Sequence, residues 1–372
     1  MTRTKWAHRL FVALSLACLP ASAHAAGLQR TDILYADWSN AQILAVDPAT
    51  GDRSVLSSAS VGSGPDFTAP SGVTIDPAES ILYVTDATAD AVFAVDPASG
   101  NRSIVSSNGV GAGPELGNPG NIVFDAEDGS LIVADGGVFA GGATNPPYLL
   151  RIDPVSGARE ILTSNTVGSG PALSFFDGLA LEQGGTVLLG QGNTEAVLRV
   201  DPLTHDRTTV SQFSVAGTGP EIDELKGLAL GSEGELFALD RGAAEAVLAI
   251  DPASGDRTLI STSGLGTGPD LGNPLACAYD PFGQRLLVAD NAQISGAALL
   301  AVDPVTGDRT VLSGTGVGVG PALGTSFGIV VVPEPASDLL ALASAAAIAV
   351  MRGRGLRRLG RRGVASPGSL VA

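Results

Sequence analysis

The sequence is poor in the residues that most site chemistry needs. It holds two cysteines, Cys18 and Cys277, and one of them lies in the first 25 residues. No internal disulfide is therefore available to the rest of the chain. Of three histidines, His8 and His24 also fall in those first residues, which leaves His205 alone and excludes a histidine-cluster lyase. Lysine occurs only at Lys5 and Lys226, and tryptophan only at Trp6 and Trp38. Positive charge is scarce as well. Residues 26–331 carry 12 Lys/Arg against 36 Asp/Glu, a net of −24. A field of that sign repels phosphate backbones, so nucleic acid is excluded as a partner, while divalent cations would be attracted. No apolar run is long enough for an ordinary membrane-spanning helix. No Gly-x-Ser-x-Gly elbow and no nucleotide fingerprint occurs in a suitable context.

What is present is repetition. Val/Ile-Asp-Pro-x-Ser/Thr-Gly-x-Arg, a β-rich run and Val-Gly-x-Gly-Pro recur with variations six times, with Asp-Pro at 47, 96, 153, 201, 251 and 303. A period near 50 built of short strands predicts propeller blades. In residues 70–107, Ser71–Ile75, Ile81–Val84, Val92–Val95 and Arg102–Ser106 read as four antiparallel strands. Between the last two, Asp96-Pro97-Ala98-Ser99-Gly100 is turn chemistry, with Pro presetting φ and Gly free to adopt a positive one. The chain opens on a second strand, Ile33–Asp37, and its last repeat ends on a first strand, Phe327–Val331. Pairing the two closes a six-bladed all-β ring without a free edge. The expected domain is 26–332.

The runs Leu34-Tyr35-Ala36-Asp37 and Val46-Asp47-Pro48 to Gly51, with Leu287-Val288-Ala289-Asp290, resemble six-bladed propellers of the NHL and YWTD type. The gluconolactonase and regucalcin architecture is of the same kind. The resemblance implies that ligands meet the face carrying the crossovers and the second-to-third strand loops. Features that break the repeat there are the candidate ligand face: Trp38, Phe139 and Tyr148 around the long third-blade loop, Phe176, Asp177 and Lys226.

Features common to all repeats read as scaffold. Arg53, Arg102, Arg159, Arg207, Arg257 and Arg309 are expected to tie each turn to its Asp or to a neighbouring blade. The Val-Gly-x-Gly-Pro segments lack a following helix for phosphate binding and read as rigid crossovers. Asp37, Asp86, Asp135, Asp240 and Asp290, with Gln191 in the fourth repeat, end the second strands. They could hold cations, but their dispersal favours loop capping. His205 replaces a turn glycine, and Cys277 aligns with core positions.

The ends carry sorting features. Arg3, Lys5 and Arg9, the apolar stretch Leu10–Leu19 and the small-x-small site Ala23-His24-Ala25 predict a signal peptide over 1–25. A lipoprotein reading through Cys18 fits the local sequence less well. The other end has Pro333-Glu334-Pro335, the apolar Leu339–Met351, and an arginine cluster that includes Arg352, Arg354, Arg357 and Arg358. Thirteen helical residues span about 20 Å, short of the roughly 30 Å hydrocarbon core. This tail, 333–362 with 363–372 trailing, resembles the PEP-CTERM sorting signal. That resemblance implies recognition by an exosortase during export from a Gram-negative, often exopolysaccharide-producing bacterium. A plain C-terminal anchor is the simpler alternative.

Two functional classes follow. One is a monomeric, non-enzymatic module, surface-displayed, matrix-associated or membrane-anchored through its tail, that binds a glycan or a surface protein. The other is a metal-dependent hydrolase. Gluconolactonase resemblance implies a divalent cation held by carboxylate or amide residues at inner-strand starts. Asp177 matches, and Asn121 matches if the register slips by one. Ser71, Lys226 and Phe327 at the equivalent positions are poor ligands.

Overall fold

The computed structural model describes Leu28 and residues 32–78, 80–136, 146–291 and 296–333. Their regular structure is 24 short strands in six four-stranded antiparallel sheets, with no helix among them. No helix long and apolar enough to cross a membrane occurs among the described residues. The signal peptide, its Ala23-x-Ala25 site, Phe139 and the tail from Glu334 onward lie outside them.

The first blade combines β1 (Ile33–Asp37), β2 (Gln42–Val46) and β3 (Arg53–Ser57) with β24 (Ser326–Val331). Ile33 pairs with Val331 and Tyr35 with Ile329, so the last strand supplies the innermost strand of the first blade. The closure expected from the sequence is what forms. Tyr35 Oη donates to Gly324 O at 2.6 Å, and Val332 N–H donates to Asp32 O at 2.9 Å.

The other blades follow in chain order. The second is β4 (Pro70–Ile75), β5 (Leu82–Asp86), β6 (Ala91–Val95) and β7 (Arg102–Ser107). The third is β8 (Pro119–Asp125), β9 (Ser130–Asp135), β10 (Tyr148–Ile152) and β11 (Arg159–Ser164). The fourth is β12 (Phe176–Leu181), β13 (Val187–Gln191), β14 (Ala196–Val200) and β15 (Arg207–Gln212). The fifth is β16 (Leu225–Leu230), β17 (Leu236–Asp240), β18 (Ala246–Ile250) and β19 (Arg257–Ser261). The sixth is β20 (Pro274–Asp280), β21 (Arg285–Asp290), β22 (Ala298–Val302) and β23 (Arg309–Ser313).

Second and third strands are buried on both faces, because each blade packs between two others. Their sequences are accordingly continuous aliphatic runs such as Leu286-Leu287-Val288-Ala289. The core is divided into six seams rather than one centre. Leu34, Ile43, Val73, Leu82 and Phe93 form the seam between the first two blades.

The recurrent arginines stitch these seams. Arg102 of the second blade is buried and reaches back to the crossover leaving the first. Its Nε donates to Pro65 O at 2.7 Å, and its Nη1 donates to Ser57 Oγ, Ser58 O and Val61 O at 2.9, 2.6 and 2.9 Å. Arg159, Arg207, Arg257 and Arg309 repeat this on Pro114, Pro171, Pro220 and Pro269. Arg53 completes the circle on Pro321 at 2.6 Å. Of the two ties expected, the neighbouring-blade one is made.

The turn glycine lies in the same seam. Gly100 O accepts from Ser57 Oγ at 2.7 Å, and a Cβ on Gly62, at φ +80°, would stand 1.9 Å from that carbonyl. In the fourth blade His205 takes this place with φ +65°, and its Nδ1 lies 2.6 Å from Leu162 O. Donation to that carbonyl needs the proton on Nδ1. His205 is thus a turn residue, as its position in the repeat suggested.

The second-strand carboxylates act as clamps. Asp86 accepts from Thr68 N and Ala69 N, Asp135 from Gly117 N and Asn118 N, and Asp290 from Gly272 N and Asn273 N, all within 2.6–3.0 Å. Gln191 Oε1 accepts from Ser174 N at 2.5 Å, which explains why an amide suffices there. Own-loop capping also occurs, as at Ala89 N on Asp86. The main task is holding the crossover that enters the blade, a long-range pairing that the spacing did not reveal.

Candidate functional site

Every inner strand carries a β-bulge at its first residues, where it pairs with the end of the second strand. A bulge places one extra residue on one strand and re-aims its side chain. In the fourth, fifth, sixth and first blades the extra residues are Asp177, Lys226, Leu275 and Phe327. These four, with the segments at Ser71-Gly72 and Gly120-Asn121, surround the mouth of the ring. Below the mouth lies an axial cavity of about 240 Å³, lined by Asn121, Lys226, Cys277, Phe327 and the glycines Gly72, Gly227 and Gly328.

Charge at the mouth is arranged as a chain. Lys226 Nζ lies 3.2 Å from Asp177 Oδ1 and 3.2 Å from Glu224 Oε1. Arg241 grips Glu224 with two nitrogens, Nε donating to Oε2 at 3.0 Å. Burial pushes the Asp177 carboxyl above its ordinary range, and the ammonium of Lys226 works against that rise. The Arg241 hydrogen bond holds Glu224 below its ordinary range. Two cations and two anions thus neutralise one another within a strongly acidic protein.

Opposite this network is an aromatic corner. Trp38 is 43 % exposed and Phe327 36 % exposed, and their rings meet edge to face at 6.1 Å and 87°. The loop beneath is fixed. Trp38 N–H donates to Thr325 O at 2.9 Å, Thr325 N–H to Ser39 Oγ at 3.0 Å, and Asn40 N–H and Nδ2 to the buried Asp37 carboxylate.

Trp38, Asp177 and Lys226 therefore stand at the mouth. Phe176 turns into the core seam of Leu173 and Leu179. Tyr148 is buried at 5 %, and its hydroxyl donates to Glu115 O, with its pKa pushed up to about 12 by burial. Its place at the start of β10, under the crossover, makes it core rather than ligand face. Phe327 is visible in the sequence as an inner-strand start. Sequence reasoning passed over two participants, Glu224 and Arg241, which look unremarkable in sequence and meet only because of the bulge and the turn from β17.

The donor set does not fit a divalent ion. Asp177 faces an ammonium, Asn121 lines the cavity wall on the neighbouring third blade, and Ser71, Leu275 and Phe327 fill other starts. No group of three or more His, Cys, Asp or Glu side chains suited to a metal occurs among the described residues. Cys277 lines the cavity with its thiol pushed up to about 12 by burial, which makes it a poor nucleophile.

Neither a protein-family model nor a curated protein sequence matches the chain. Solved structures do. A chain from the crystal structure of the nidogen/laminin complex is similar at a TM-score of 0.60 and 13 % identity, covering 81 % of this chain and 98 % of that one. A gluconolactonase from Xanthomonas campestris, described as important in glucose secondary metabolic pathways, is similar at 0.51 and 17 %, covering 73 % and 91 %. At such identities the likeness is one of fold: a six-bladed propeller with neighbours of the YWTD and gluconolactonase types.

Proposed function

We propose that this propeller is an exported, non-enzymatic binding module that engages its partner through the channel mouth. The observation that carries the reading is the placement of Lys226 Nζ at 3.2 Å from both Asp177 and Glu224. The carboxylate best placed for a lactonase-type metal is already neutralised, and an ammonium occupies the approach. The likeness to the nidogen/laminin chain fits a propeller that binds a partner, and the gluconolactonase likeness keeps a metal-dependent hydrolase as the alternative.

The signal peptide and the PEP-CTERM-like tail assign the module to the cell surface or the matrix, with exosortase and the export machinery as partners during sorting. Val332 N–H donates to Asp32 O at the end of the inner strand away from the mouth, so the chain reaches Pro333 on the face opposite the mouth.

The test is thermal unfolding with chelator and then with Ca²⁺, Mn²⁺, Mg²⁺ or Zn²⁺, beside a lactone hydrolysis assay. A ligand at about 100 times its dissociation constant stabilises by roughly 2.7 kcal/mol. Unchanged unfolding and no turnover are expected. A metal-dependent shift that Asp177→Ala removes, together with turnover, would establish the hydrolase instead.

A further inference from the structure

We propose that the Trp38–Phe327 corner is a subsite for a neutral sugar ring, part of a polysaccharide whose chain lies across the channel mouth. This deepens the binding-module reading and rests on it.

A pyranose ring presents a face of C–H groups and a rim of hydroxyls. The C–H face is apolar and carries slight positive charge, which suits the negative face of an aromatic ring. The hydroxyls need groups that both donate and accept. The mouth has both parts. Trp38 and Phe327 are exposed together, on two elements locked to each other by the Trp38–Thr325 and Thr325–Ser39 hydrogen bonds, so the corner is ordered before any ligand arrives. Preorganisation removes part of the entropic cost of binding. Phe327 also lines the axial cavity together with Lys226 and Asn121, whose ammonium and amide offer hydrogen bonds.

Charge selects the class of sugar. Lys226 and Arg241 are committed to Asp177 and Glu224, leaving the mouth network neutral. The surrounding domain carries a net −24 over residues 26–331. An anionic polysaccharide would meet repulsion at long range and no unpaired cation in this network. A neutral one pays neither penalty.

The experiment is isothermal titration of the full chain with maltohexaose, cellohexaose and mannohexaose, and with a galacturonate hexamer as the anionic probe. Saturable binding to a neutral hexamer is expected. Trp38→Ala and Phe327→Ala should each weaken it about tenfold or more, the scale of losing one ring contact. Phe282→Ala removes an exposed aromatic in the turn after β20, away from the mouth, and should leave binding unchanged. Unfolding temperatures of the variants separate lost contact from lost fold. Failure of every neutral hexamer, preference for the galacturonate, or equal affinity in Trp38→Ala overturns the assignment. Capture of a protein partner that Trp38→Ala abolishes, without neutral-sugar binding, overturns it while leaving the binding module standing.

Discussion

Lys226 of the fifth blade and Asp177 of the fourth are held 3.2 Å apart by two bulges that turn them toward each other. Removing the lysine leaves Asp177 facing Glu224 with only Arg241 nearby. Lys226→Met should therefore lower stability at neutral pH and create an affinity for Ca²⁺ that the unsubstituted protein lacks. Thermal unfolding with and without millimolar Ca²⁺ reads both effects. A calcium shift in the unsubstituted protein, absent from the variant, would show that the lysine assists an ion rather than replacing one.

The seam arginines are expected to dominate stability. The Arg102 side chain is 1 % exposed and reaches five acceptors besides its contact with Asp66. Lysine cannot reproduce that fork. Arg102→Lys should cost about 2–4 kcal/mol, because buried carbonyls of the crossover lose their donors. Urea unfolding measures this; a cost under about 0.5 kcal/mol would mean that water replaces the guanidinium freely.

Backbone crowding in the same seam predicts a contrast between two glycines of similar φ. Gly62→Ala meets Gly100 O at 1.9 Å, whereas a Cβ on Gly129, at φ +76°, meets nothing within 4 Å. Gly129→Ala should cost about 1 kcal/mol from conformation alone, and Gly62→Ala clearly more. Equal unfolding midpoints for the two variants would contradict the packing.

Acidity should matter at Asp90. Burial, then Asp135 and Asp86, raise its pKa to about 6. A folded pKa above the unfolded value means that the native state holds the proton more tightly, so the ionised group destabilises the fold above about pH 6. That penalty fades as pH falls toward the unfolded value near 4. Asp90→Asn keeps a residue that tolerates the observed φ of +49°. It should raise the unfolding temperature at pH 7.5 and leave it unchanged near pH 4. The gain should be about 1 kcal/mol or less, since solvent screens the site. A gain independent of pH would place its origin elsewhere.

The blades and their closure were legible because the evidence for them is local and repeated six times. Asp-Pro-x-Ser/Thr-Gly marks a turn wherever it stands, and Ile33–Asp37, which reads as a second strand, needs an inner partner that Phe327–Val331 can supply. The mouth was half legible. Trp38, Asp177 and Lys226 stand out as departures from the repeat. Glu224 and Arg241 do not, because their significance arises from a bulge that shifts register by one residue, and period-2 patterning is blind to that shift. Tyr148 misled for a related reason. An aromatic beside a long loop looks available, yet its hydroxyl reaches the Glu115 carbonyl across 33 residues.

Closing the ring with its first and last strands also sets an order in time. During synthesis Ile33–Asp37 is made early, and its partner Ser326–Val331 follows about 290 residues later, roughly 15–60 s at 5–20 residues per second. Until then β1 is an open edge of Ile, Leu, Tyr and Ala. The nascent chain is most prone to aggregate during that interval, and a chain cut between Ser313 and Ser326 carries the strands of five complete blades and one that still seeks a strand.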